Sequence, residues 1–213
     1  MATLSYHEQK DIENIKKLRE LQKELPSFCS DFFRGIETST STRTRIAYAY
    51  DLKIFFQFLK TANPGTFDNP SHTLTPSDLE KLTVTDLEEY IDYLKCHPSD
   101  TNEDVINTER GLMRKVSSLR SFYSYFFRNE RIEKNPAALV RMPKLHEKEI
   151  IRLEIDEVAK LLDEVEEGDK LTEKQKLYHE RTKVRDLAMM SLLLGTGIRV
   201  SECVGLNIND IDL

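Results

Sequence analysis

The sequence predicts a mainly α-helical protein, and three observations support this class. Apolar residues recur at helical spacing in several segments, as Leu52, Phe55, Phe56 and Leu59 do. Ser and Thr residues precede these segments, where they favour helix starts. Gly and Pro number only seven each, too few for a disordered or fibrous chain.

The first quarter of the chain is predicted to hold two helices joined by an apolar anchor. Residues 4–25 form a charged, weakly amphipathic helix. The anchor consists of Phe28, Phe32 and Phe33. A Ser/Thr-rich start signal at 39–44 then precedes a helix that continues to Leu59.

Shorter helices are predicted after a loop over residues 61–76. Thr75 caps a helix whose first residue is Pro76, a residue favoured at that position. Thr85 and Glu88 have the spacing of a capping box for the next helix.

A long helix is predicted from about Thr108 to Asn129, and Asn135-Pro136 ends this region. Its inward residues are Leu112, Val116, Leu119, Phe122, Tyr123 and Phe126. Residues 140–146 are predicted to be a basic linker.

The last part of the chain is predicted to be helical with a strand at its end. Residues 156–165 form one helix, 166–181 a charged loop or extension, and 185–194 a buried apolar helix. The alternation of Ile and Asp over 208–213 indicates the beginning of a strand.

Charge is segregated along the chain although the net charge is −6. Residues 43–60 carry a net +3 and residues 109–148 a net +6, whereas residues 149–181 carry −5. Because phosphate affinity depends on the local patch, the total charge does not exclude nucleic acid as a partner.

Several classes of protein are not supported by the sequence. No run approaches the roughly 18 apolar residues that span a bilayer, and the N-terminus lacks the apolar stretch of a secretory signal. Cys29, Cys96 and Cys203 lack metal-ligand spacing and are expected to be reduced thiols of a cytosolic protein. No metal site is predicted.

The segment after the buried helix has the chemistry of a phosphate site. Gly195 and Gly197 allow a sharp exit from the helix, and Arg199 then begins the next one. A guanidinium donates two parallel hydrogen bonds to phosphate oxygens, and helix N-terminal amides favour an anion nearby. Glu202, three residues on, can fix the rotamer of Arg199. A structural Arg–Glu pair remains the alternative, which spacing alone favours.

This segment, TGIRVSECVGLNINDIDL, resembles the first conserved box of the tyrosine recombinases, the lambda-integrase family. The matching residues are Thr196, Gly197, Arg199, Ser201, Glu202, Leu206, Asp210 and Ile211. Residues 41–59 and 116–137 resemble the start and the last helix of that family's core-binding domain. The Xer-like branch is the most similar.

The resemblance implies a core-binding domain of four helices with a SAM-like fold, followed by the first helices of a mixed α+β catalytic domain. We therefore expect an N-terminal helical extension over 1–37, the core-binding domain over 38–139, a basic linker over 140–150 and the catalytic segment over 151–213. The N-terminal helix is expected to pack on its own domain, with a neighbouring protomer as the alternative.

The implied activity is site-specific recombination of double-stranded DNA in the cytoplasm, for chromosome dimer resolution or for integration and excision of mobile elements. A tyrosine forms a 3′-phosphotyrosyl intermediate, and no cofactor is needed. Arg199 corresponds to the first catalytic arginine and Glu202 to its supporting acid. The family's lysine hairpin, H-x-x-R box and nucleophile are expected beyond residue 213, so this chain alone is expected not to cleave DNA. The whole protein is expected to act as a homo-tetramer on paired sites, and this chain to be a monomer.

Two helices and the linker are predicted to face the duplex if the resemblance holds. The predicted DNA contacts are Arg43, Thr44, Arg45, Arg110, Arg114, Lys115, Ser118, Arg120, Arg141 and Lys144. A solvated basic face is the alternative for this set, and Arg120 alternatively packs beside Phe122 and Tyr123. Two other functions stay open, a recombinase-derived DNA binder without cleavage and a helical protein-interaction module.

Overall fold

The computed structural model describes residues 6–98, 103–146, 149 and 151–210. The chain divides into two compact units, unit 1 over residues 1–147 and unit 2 over residues 148–213. The division falls inside the predicted linker, and the finer subdivision of the chain stays a prediction. Both units are built mainly from helices, as expected. None of the described helices is long and apolar enough to cross a membrane.

Unit 1 contains eight described helices and one hairpin. The helices are α1 (Tyr6–Lys23), α2 (Cys29–Gly35), α3 (Thr42–Ala62), α4 (Pro64–Phe67), α5 (Pro76–Leu79), α6 (Val84–Lys95), α7 (Glu109–Arg128) and α8 (Pro136–Leu139). Strands β1 (Cys96–Pro98) and β2 (Asp104–Ile106) lie between α6 and α7. They pair antiparallel, with His97 opposite Val105. The hairpin was not predicted, because strands of three residues are too short to show an alternating pattern.

The core of unit 1 is aromatic and is centred on Phe122 of α7. This ring lies 5.2 Å from that of Phe32 and 6.2 Å from that of Phe56, in edge-on contacts. The predicted anchor of Phe28, Phe32 and Phe33 is buried. The long helices α3 and α7 therefore pack against each other through this aromatic core, and α1 packs along α3.

Polar side chains define the helix starts in unit 1. Ser41 caps α3 and Thr108 caps α7, each accepting a hydrogen bond at 3.2 Å from the backbone N–H three residues on. The prediction for α6 was wrong by two residues. Its capping box is Thr83 with Asp86, whose carboxylate accepts from the Thr83 N–H at 2.6 Å. Leu87, in the first turns of α6, is fully buried.

Unit 2 contains α9 (Ile155–Glu167), α10 (Glu173–Thr196), α11 (Val200–Val204) and a 3₁₀ turn (Ile208–Asp210). The predicted charged loop over 166–181 is largely wrong, because the first part of α10 occupies residues 173–181. The predicted burial of 185–194 is also wrong. Within unit 2, α10 packs against α9 and α11, but none of its described residues is buried.

The predicted strand at the end of the chain is absent over residues 208–210. These residues form a 3₁₀ turn because the Asp210 carboxylate accepts from the Asn207 N–H at 2.8 Å. Residues 211–213, including Ile211 of the matched box, lie outside the described residues.

Candidate nucleic-acid interface

Arg114 on α7 joins the two helices that were predicted to face DNA. Its Nη1 donates to Asp51 Oδ2 at 2.6 Å and to the Ala47 carbonyl at 3.4 Å, both on α3. The Arg114 side chain is nevertheless 45% exposed, whereas that of Asp51 is 2% exposed. The guanidinium therefore reaches from solvent to a buried carboxylate.

Asp51 was not among the predicted site residues. Burial raises the pKa of this carboxyl to about 6, although Arg114 and Lys115 oppose the shift. One feature of the sequence could have identified it. Asp51 lies in the segment that resembles the core-binding domain, three residues after Tyr48.

Lys115 and Ser118 face inward from α7. Lys115 is 7% exposed and its Nζ donates to Asn107 Oδ1 at 2.6 Å, while burial lowers the pKa of its ammonium group. Ser118 is fully buried, and its Oγ has no hydrogen-bond partner among the described residues. Neither side chain is available to a phosphate in this structure, because both lie on the core side of the helix.

Arg45 and Arg120 are likewise held by the protein. Arg45 is 8% exposed, and its Nη1 donates to Glu37 Oε1 at 2.8 Å. Arg120 donates to the carbonyls of Ala137 and Val140 and thereby attaches the region around α8 to α7. This arrangement is closer to the packing alternative for Arg120 than to a phosphate contact.

The remaining predicted DNA contacts in unit 1 are exposed or partly exposed to solvent. Arg43, Arg110, Arg141 and Lys144 are exposed, and no ion pair to them is seen among the described residues. Thr44 is partly exposed and shares a 2.9 Å hydrogen bond with the Ser41 hydroxyl. Arg43 and Thr44 lie in the first turn of α3, and Arg110 lies one turn before Arg114 on α7.

The linker residue His146 returns to the start of α7. Its N–H donates to Glu109 Oε2 at 2.9 Å, and its Nδ1 lies 2.6 Å from Glu109 Oε1. This attachment was not predicted, because no local pattern joins residues 37 positions apart.

Arg199 and Glu202 form a pair at the start of α11 in unit 2. Glu202 Oε1 accepts from Arg199 Nη1 at 2.9 Å, and its Oε2 accepts from the Arg199 N–H at 2.8 Å. These contacts lower the pKa of Glu202. Arg199 is the residue before α11 rather than its first residue, and its N–H is occupied by Glu202. The Arg199 N–H is therefore not one of the free amides, and the predicted anion site at this helix start stays a prediction.

The turn before Arg199 depends on Gly197. This residue ends α10 in the left-handed conformation, with φ of 69° and ψ of 15°. Its N–H donates to the Leu193 carbonyl at 3.0 Å, which fixes the direction of the chain. The Arg199 side chain is 81% exposed, so its other guanidinium nitrogens are open to a ligand.

No group of three or more His, Cys, Asp and Glu side chains in the described part of the chain is arranged to hold a metal ion.

Comparison with known proteins identifies relatives over most of the chain. The Phage integrase family matches residues 151–213. The tyrosine recombinase XerC of Caldanaerobacter subterraneus subsp. tengcongensis is 35% identical over 87% of this chain and 50% of its own length. XerC of Chlorobaculum tepidum is 30% identical over 96% of this chain and 55% of its own length. The tyrosine recombinase XerS of Streptococcus uberis is 31% identical over 93% of this chain and 61% of its own length.

The chain thus spans between about half and three fifths of the length of these curated relatives. No solved structure matches it significantly.

Proposed function

The chain belongs to the tyrosine recombinase family, in its Xer-like branch, and we propose that it is the part of a site-specific DNA recombinase that holds duplex DNA and supplies the first catalytic arginine. Unit 1 binds the DNA backbone, and unit 2 presents Arg199 to the scissile phosphodiester.

The observation that carries the DNA-binding role is the set of exposed cations on α3 and α7. Arg110 and Arg114 lie one turn apart on α7, and the bond from Arg114 to Asp51 holds this turn against α3. Arg43 lies at the start of α3 with its side chain in solvent. Exposed guanidinium groups on two packed helices suit backbone phosphates, which position a protein without specifying sequence.

The proposed interface is narrower than the one predicted from sequence. It retains Arg43, Thr44, Arg110, Arg114, Arg141 and Lys144. It omits Arg45, Lys115, Ser118 and Arg120, because each is buried or engaged by other groups of unit 1.

For the catalytic step, we assign Arg199 to the charge that develops on phosphorus when a tyrosine attacks. The carboxylate of Glu202 accepts from Nη1 of the guanidinium and leaves Nε and Nη2 free for phosphate oxygens. The tyrosine and the other catalytic groups belong to the whole protein. We propose that this protein acts on paired DNA sites as a homo-tetramer in the cytoplasm, without a cofactor.

The test of DNA binding is a charge reversal at two exposed positions, Arg43→Glu with Arg110→Glu. Binding of a 30-base-pair duplex is measured by fluorescence anisotropy across a range of salt concentrations. The double variant is expected to bind at least tenfold more weakly and to lower the salt slope by roughly 2, about one for each lost phosphate contact.

The matched control is Lys60→Glu, at the opposite end of α3 from Arg43, where the side chain is also exposed. It makes the same charge change as one of the two reversals in the double variant and is expected to leave the slope unchanged. Equal losses in the control and the double variant would show a non-specific effect of net charge and would contradict the proposed interface.

A further inference from the structure

We propose that Asp51 is a positioning residue for DNA binding, which holds the Arg114 guanidinium so that its free edge meets a backbone phosphate. This inference rests on the proposed function and adds to it a residue that does not itself touch the DNA.

The contacts of Arg114 leave one edge of its guanidinium free. Nη1 is occupied by Asp51 Oδ2 and the Ala47 carbonyl. The described residues provide no partner for Nε or Nη2, and the side chain is 45% exposed. The Nε–Nη2 edge is one of the two geometries that bind phosphate with parallel hydrogen bonds.

Burial of the carboxylate makes it a fixed point of attachment. Asp51 lies on α3, whose neighbours Leu52 and Phe55 are fully packed in the core. A long arginine side chain normally loses rotamer freedom when it binds, and an arginine already held in place loses less. Asp51 therefore lowers the entropic cost of the phosphate contact.

A purely structural ion pair explains the geometry less well. The second carboxylate oxygen, Asp51 Oδ1, is buried without a hydrogen-bond partner among the described residues, which is unfavourable for stability. The aromatic core already packs α3 against α7 without this pair. A buried carboxylate that is incompletely satisfied, and whose partner extends into solvent, fits a functional role better.

Positioning and simple electrostatics predict opposite effects of the variant Asp51→Asn. Removal of a negative charge near the phosphates would strengthen DNA binding if charge alone mattered. Loss of the ion pair would weaken binding if Asp51 positions Arg114. The sign of the change therefore separates the two explanations.

The experiment is a double-mutant cycle with Asp51→Asn, Arg114→Gln and the two combined. Affinity for a 30-base-pair duplex and its salt slope are measured at pH 7.5, with circular dichroism to verify folding. We expect Asp51→Asn to weaken binding three- to tenfold. We expect the combined variant to bind no more weakly than Arg114→Gln, because Asp51 acts through Arg114. Asp92→Asn, which removes an exposed ion pair with Lys95 on α6, is the control and should have no effect.

Unchanged or tighter binding by Asp51→Asn, or additive losses in the combined variant, would overturn the inference. If Asp51→Asn does not fold, Arg114→Lys takes its place, because lysine keeps the charge and the contact to Asp51 but lacks the second edge. It should bind more weakly than the wild-type chain, and wild-type affinity would refute the role. A wild-type chain without salt-dependent DNA binding would instead refute the proposed function, and this inference with it.

Discussion

At the scale of single residues, the Asp78 carboxylate at the start of α5 collects an unusual number of donors. Its side chain is 3% exposed and accepts from Lys81 Nζ at 2.7 Å and from the Thr75 N–H at 2.9 Å. His72 Nε2 lies 2.9 Å away. Burial alone would raise the pKa of Asp78, but these hydrogen bonds lower it to about 2.

Asp78→Asn is therefore expected to destabilise unit 1 by roughly 2–3 kcal/mol at pH 7. Because the folded-state pKa lies below the unfolded value, this stabilisation exists above about pH 4 and is lost as the pH falls through 2. Urea unfolding of both proteins between pH 7 and pH 2 measures the difference. A gap that stays constant over this range would refute the assignment to Asp78 ionisation.

Ser118 offers a second test at this scale, since sequence analysis placed it at the DNA. Its buried hydroxyl lacks a partner in the described structure, so Ser118→Ala removes an unsatisfied polar group. We expect unchanged or slightly higher stability, by up to about 1 kcal/mol, and unchanged affinity for duplex DNA. Anisotropy and urea unfolding provide both values. Weaker DNA binding by Ser118→Ala would show that Ser118 belongs to the DNA interface and would contradict this prediction.

The helical pattern itself could have separated the inward from the outward residues of α7. At 3.6 residues per turn, Lys115 lies between Leu119 and Phe122 on the helix surface, within the apolar arc, whereas Arg110 and Arg114 lie outside it. Lys115 was predicted to contact DNA only because its side chain is basic. The Asp51–Arg114 contact was not predictable in this way, because it joins residues 63 positions apart.

At the scale of elements, helix α10 shows why residues 166–181 were predicted to be a loop or extension although most of them are helical. Residues 173–183 lack an apolar stripe, and such a pattern favours a loop. The structure continues the helix through them, with ion pairs between Glu173 and Lys176 and between Glu180 and Lys183. Thr172 and Gln175 form the capping box at its start. Local charge pairs and a cap thus extend a helix that hydrophobic spacing does not reveal.

Two glycines at the end of α10 provide a matched pair of substitutions. A Cβ at Gly195 or at Gly197 would meet no atom within 4 Å, so backbone conformation decides the effect of each. Gly195 is within the helix, and Gly195→Ala should stabilise α10 by about 0.5–1 kcal/mol. Gly197 has a φ of +69°, and Gly197→Ala should destabilise the turn by about 1 kcal/mol.

Hydrogen exchange of the amides in α10 and α11 measures both effects. Gly197→Ala should also disturb the ion pair between Arg199 and Glu202, because this turn sets the direction of α11. Changes of the same sign at the two positions would contradict the left-handed conformation of Gly197.

At the scale of the whole molecule, the two units differ in charge and in burial. Unit 1 has 21 Lys and Arg against 22 Asp and Glu, a net −1, and unit 2 has 10 against 15, a net −5. Most of the negative charge therefore lies in unit 2, which favours unit 1 as the part that binds DNA. The sequence revealed this segregation, because it required only counting along the chain.

Burial separates the units more strongly. Unit 1 has a continuous core of buried apolar side chains. Among the described residues of unit 2, Gly168 alone is buried, and apolar side chains such as Ile155 and Val184 are 89% and 78% exposed. Periodicity predicted α9 but could not predict this difference, because it identifies the apolar face of a helix and not what covers that face.

The stability of the chain is therefore expected to be unequal, with unit 2 opening far more often than unit 1. Helices that bury little apolar surface exchange through local unfolding of low free energy, whereas a packed core exchanges near the free energy of global unfolding. Hydrogen–deuterium exchange of this chain should show amides of α9 and α10 exchanging at least about a hundredfold faster than those of α3 and α7. Equal protection in the two units would mean that the apolar faces of unit 2 are covered in solution, and it would refute the expectation.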